Sequence, residues 1–194
     1  MVTATLLIGL LAVAAATDVS RHKIYNWTTY PGILVAWAWN AAGDLSAAAS
    51  PPSGPALEQL GWITLWQSFL GFLLCGVVLL ICYVVFAGGI SGGDVKMIAM
   101  MGALLGPERG IVAMLWTFVL GFCLAICVLI WRVGPLSLVG RLLRMAFGML
   151  RLGIMPPLTP EERAQLKPPL SLAPAALAAA VLIQFPYFGG YPTI

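Results

Sequence analysis

Two aspartates stand beside apolar runs, where charge is least expected. Asp18 closes one such run, in TDVSRHKIYN, and Asp94 opens another, in GGISGGDVKMIA. Burying charge in a membrane costs several kcal/mol. Two carboxylates brought together at low dielectric cannot both ionise easily. One pKa rises and the other falls, so the pair holds a single proton near neutrality. That state suits hydrolysis of a peptide bond. The ionised member takes a proton from water while the neutral member protonates the scissile carbonyl oxygen. Plainer readings stay open: a solvated boundary carboxylate, an Asp18–Arg21 ion pair, or Asp94 as a helix N-cap. Gly92 and Gly93 let the backbone take an unusual conformation and let a peptide approach closely. Lys96 reaches the same mouth, where it can meet the acidic site or snorkel. Gly92, Gly93 and Lys96 are therefore the candidate substrate-binding residues.

The elements that must position these residues are membrane helices. The chain of 194 residues is 61% hydrophobic and 9% charged, against about 25% charged in soluble domains. Its apolar runs are continuous rather than alternating, which reads as helix. Hydropathy predicts an all-α integral membrane protein with about six transmembrane helices in a single domain, 1–194. The spans are about 2–17, 28–42, 61–87, 95–106, 110–131 and 171–185. A Pro/Ser/Ala/Gly loop, 43–60, follows the second, and Pro107 ends the short fourth. Residues 132–170 form a basic connector, within which 135–153 reads as an in-plane amphipathic helix at the cytoplasmic face. Its Arg141, Arg144 and Arg151 suit anionic lipid.

Charge sets the orientation. With the first loop in the cytoplasm, Arg21, Lys23, Lys96, Arg132, Arg141, Arg144, Arg151, Arg163 and Lys167 all lie inside, and only Arg109 lies outside. Asp18 and Asp94 then share the cytoplasmic face, and both termini lie outside the cytoplasm. The first apolar run lacks a basic region before it and reads as an anchored span rather than a cleaved signal.

Other residues read as structural. Cys75, Cys82, Cys123 and Cys127 lie inside apolar runs without a CxxC pair, so no metal site or cofactor is expected. His22 reads as a solvated neighbour of Arg21, and Asn40 and Gln67 as hydrogen-bonding groups between helices. Trp27, Trp62, Trp66 and Trp131 fit an aromatic belt. Nothing supports nucleic-acid binding, because the basic residues track the membrane side.

SGGDVKM, with Gly102 and Gly106 downstream, resembles the GxGD-type intramembrane aspartic peptidases. TDVSRHKIYN is similar to the first-aspartate motif of their type IV prepilin peptidase branch, with Ile24 and Asn26 at the Ile and Asn positions. The final apolar segment resembles that family's Pro-containing last helix. Tyr25 stands where the family has Pro, and Ser91 where it has the first Gly. The resemblance implies Asp18 and Asp94 as the catalytic pair. It also implies prepilin or pseudopilin substrates, cut at the cytoplasmic side of the inner membrane, with pilus or secretion machinery as further partners. Without a CxxC-bearing cytoplasmic domain, the shorter architecture is similar to the tight-adherence (Flp-type) enzymes. Archaeal preflagellin peptidases are the near alternative. A small proton-coupled transporter and a non-enzymatic secretion-system subunit are the rivals from other classes.

Overall fold

A computed structural model describes residues 2–21, 24–49, 62–85, 91–134, 140 and 171–184. Five helices run through them: α1 (Val2–Arg21), α2 (Asn26–Ala49), α3 (Leu65–Val85), α4 (Gly92–Val133) and α5 (Ala173–Ile183). His22, Lys23, the PPSGP breaker and, apart from Gly140, the amphipathic stretch 135–153 lie outside the described residues. The chain forms two compact units, Met1–Leu120 with Ser171–Ile194, and Gly121–Leu170.

In the first unit, the stretch of α4 from Met97 to Leu104 is the core. Met97, Ile98, Met100, Met101 and Ala103 are fully buried. A helix that is apolar on every side must be enclosed on every side. Small residues make that enclosure possible. A Cβ at Gly71 of α3 would collide with the Gly102 carbonyl, and one at Gly102 with the Gly71 carbonyl. Small side chains at a crossing let membrane helices approach this closely. The buried Ser68 hydroxyl adds a 2.6 Å bond to the Ala103 carbonyl at the same crossing. Meanwhile Leu34, Val77, Leu80, Ile81 and Leu115 face outward and exposed, as lipid-facing residues do.

The structure refines several expected boundaries. Gly106 adopts φ 77°, ψ −179° inside α4, and Pro107 follows it. Proline drives the preceding residue out of the helical region, and only glycine takes that positive φ without strain. The fourth and fifth expected spans are thus two limbs of one kinked helix. The expected loop begins too early at Gly43, because α2 continues to Ala49. AAGDLSAAA is alanine-rich and supports helix as far as the prolines at 51 and 52.

Among the described residues, three helices are long and apolar enough to cross a membrane: Val2–Arg21, Leu65–Val85 and Gly92–Trp131. The α2 helix has 24 residues but carries Asn26, Asn40 and Asp44, and α5 has 11 residues. In the second unit, the C-terminal part of α4 exposes Phe122, Ile126, Ile130 and Trp131, together with Cys123 and Cys127.

Candidate active site

Asp18 is placed by the period of α1. Leu7, Leu11, Ala14 and Asp18 follow one another at helical spacing and are all buried, Asp18 at 7% exposure. The last of a stripe of core positions is therefore a carboxylate. α1 packs along α5, and this contact supplies Asp18 with a donor. The Ala173 N–H, first in α5, donates to Asp18 Oδ2 at 3.2 Å. The exposed amides and dipole of a helix N-terminus favour an anion there. Asp18 is not joined to Arg21 in an ion pair as its placement allowed. Instead Arg21 Nη1 donates to the Tyr25 hydroxyl at 3.0 Å.

Asp94 is placed locally. Ser91, not Asp94, is the N-cap of α4. The Asp94 N–H donates to Ser91 Oγ at 3.2 Å, and the Ser91 N–H donates to Asp94 Oδ2 at 3.0 Å. This reciprocal clasp is a capping box. It starts the helix at Gly92, although two successive glycines oppose a first turn by about 1 kcal/mol each. Neither glycine takes the unusual conformation expected from the sequence. Among the described residues, positive φ occurs at Gly106 and Gly134. With the cap in place the backbone needs only ordinary helical angles.

The two glycines serve close approach instead, and they differ. A Cβ on Gly93 would stand 3.0 Å from the Ile24 Cβ, so this glycine lets α4 press against the α1–α2 link. A Cβ on Gly92 would meet nothing within 4 Å among the described residues, so space lies open beside it on their side. The start of α4, which carries Asp94, thus packs against Ile24 and Asn26, a few residues beyond the end of α1 that carries Asp18.

Lys96 reaches across to α2. Its Nζ donates to Asn26 Oδ1 at 2.9 Å and stands 5.0 Å from the centre of the Tyr30 ring. Lys96, Val95 and Tyr30 also edge an apolar groove of about 530 Å³ bounded by Trp37, Phe72 and Leu80.

Among the described residues, the Asn40 and Gln67 side chains do not make the expected hydrogen bonds between helices. Gln67 closes a second capping box, with Thr64, at the start of its own helix. Asn40 is 1% exposed, and its amide nitrogen and oxygen have no partner among the described residues. Sequence reasoning missed two functional contacts. The Ser91–Asp94 clasp had a signal, the S-x-x-D spacing, which stayed unread beside the glycines. The Ala173 amide had none, since any residue carries one. No group of three or more His, Cys, Asp or Glu gathers among the described residues.

A family model described as the type IV leader peptidase family matches residues 5–126. That range contains Asp18, Asn26, Ser91, Asp94 and Lys96. No curated protein and no solved structure matches the chain.

Proposed function

The chain belongs to the type IV leader peptidase family, and on that ground we propose that it is a membrane aspartic endopeptidase acting on prepilin or pseudopilin leaders. Asp18 and Asp94 are its catalytic pair. The observation that carries this reading is the buried carboxylate at the end of α1, with a second at the start of α4, which packs on Ile24 and Asn26 just beyond α1. The ionised acid removes a proton from water as the water oxygen attacks the scissile carbonyl carbon. The protonated acid gives its proton to the carbonyl oxygen. On collapse of the tetrahedral intermediate the C–N bond breaks, the acid that took the proton of water gives it to the leaving amine, and the other acid recovers its proton from the intermediate's hydroxyl.

The remaining roles follow from placement. The open side of Gly92 leaves room for a peptide backbone, and Gly93 keeps the mouth of α4 close to Ile24. Lys96 holds that mouth to α2 through Asn26 at the edge of the substrate path. Cleavage at the cytoplasmic face of the inner membrane, with both termini on the other side, is supported by the bias of Lys and Arg. Residues 1–194 then act as one membrane peptidase domain, with 132–170 as a basic connector lying on anionic lipid.

The test is leader cleavage of a co-expressed prepilin by wild type, Asp18→Asn and Asp94→Asn, each shown to accumulate in the membrane. Loss of cleavage in both variants supports the pair. Cleavage by either one sinks the two-carboxylate mechanism.

A further inference from the structure

We infer that Ser91 is a positioning residue that sets the Asp94 carboxyl for the reaction. The inference rests on the catalytic role proposed for Asp94. Ser91 and Asp94 exchange two hydrogen bonds across the first turn of α4. One of them, from the Ser91 N–H, is accepted by Asp94 Oδ2 and so fixes the direction in which the carboxyl points. The residues between them, Gly92 and Gly93, have no side chains with which to hold the turn. Glycine is the poorest helix former after proline, so this turn depends on its cap. Without the Ser91 hydroxyl the Asp94 amide loses its side-chain partner, the turn frays, and the carboxyl on it samples many positions. Small misplacements of a reacting group lower the rate far more than they lower substrate affinity.

The molecule carries its own control. Thr64 and Gln67 form the same reciprocal cap on α3 with no catalytic carboxylate in it. A purely structural effect of cap removal therefore has the same outcome at both helices. A positioning effect appears only at Ser91.

The experiment measures leader-cleavage kinetics and thermal midpoint for the full chain in membranes or detergent. The variants are Ser91→Ala, Ser91→Gly, Ser91→Thr and Thr64→Ala, with Asp94→Asn alongside. Ser91→Ala should lower kcat about tenfold and Ser91→Gly, which still caps but without the hydroxyl, about threefold, each with KM unchanged within about twofold. Ser91→Thr, which keeps a capping hydroxyl, should restore kcat to within about twofold of wild type. Thr64→Ala should lower the thermal midpoint as much as Ser91→Ala does and leave kcat unaltered. Should Ser91→Ala fail to accumulate, Ser91→Gly decides the same question, because glycine is itself an acceptable N-cap. Wild-type kcat in Ser91→Gly, failure of threonine to restore it, or an equal loss in Thr64→Ala overturns the inference. If Asp94→Asn is inactive while Ser91→Gly is fully active, the catalytic pair stands and only the role of Ser91 falls. If Asp94→Asn still cleaves, the pair itself is overturned.

Discussion

Asp18 and Asp94 are held in opposite ways. Asp18 takes its N–H from Ala173, 155 positions further along the chain. Asp94 takes its own from Ser91, within one turn of the same helix. In both cases the donor belongs to a helix N-terminus, which favours a carboxylate. What differs is what must be intact for the donor to be there. For Asp94 it is a capped turn. For Asp18 it is the packing of α5 on α1, through the fully buried Ala173 and Ala176 and the nearly buried Ala180. A disturbance of the bundle should therefore reach Asp18 first, while a disturbance of the turn should touch Asp94 alone.

The largest effects remove the acids themselves. Asp18→Asn and Asp94→Asn should each cut leader cleavage by at least about 10³-fold while leaving the protein in the membrane. Unequal residual rates would measure how far the two roles differ. Next comes the crossing that carries α4. Gly71→Val drives a branched side chain into the Gly102 backbone, and the protein should fail to accumulate, read by immunoblot of the membrane fraction. A smaller change separates the two anchoring modes. Ala176→Leu overpacks the α1–α5 contact, at a cost of about 1–3 kcal/mol. It should lower the thermal midpoint and cleavage together, whereas Ser91→Gly lowers cleavage far more than stability. Equal coupling in both variants would erase the distinction drawn here. The smallest effect is Lys96→Met, which loses the bond to Asn26 and the contact over Tyr30. About 1 kcal/mol of stability and a few-fold change in KM are expected, measured by thermal unfolding and cleavage kinetics.

The same contrast governs what was legible beforehand. Helical class, the break at Pro107 and the placing of Asp18 at the close of an apolar run all depend on neighbours in sequence, and all are visible there; that the two limbs join in one kinked helix is not. The start of α4 was nearly visible. S-x-x-D spells its cap, but the glycines between drew attention to backbone freedom that the structure does not use. The extent of α2 went astray because small and polar residues resemble a loop until alanine propensity is summed across 41–49. Asn40 and Gln67 show a further limit. Residue type tells that a polar group needs a partner, while the packing decides where the partner is. The Ala173 amide lies at the far end of this range, being a backbone atom of a residue with no chemistry of its own.

The bond between Asp18 and Ala173 also bears on the order in which the protein is made. Asp18 leaves the ribosome early and Ala173 much later, so one acid of the proposed pair lacks its partner through most of synthesis. Until α5 has formed and docked on α1, a nascent chain would carry both aspartates without the bond that holds Asp18. Proteolytic competence would thus arrive late in folding, after the helices that could themselves be cut have been packed away.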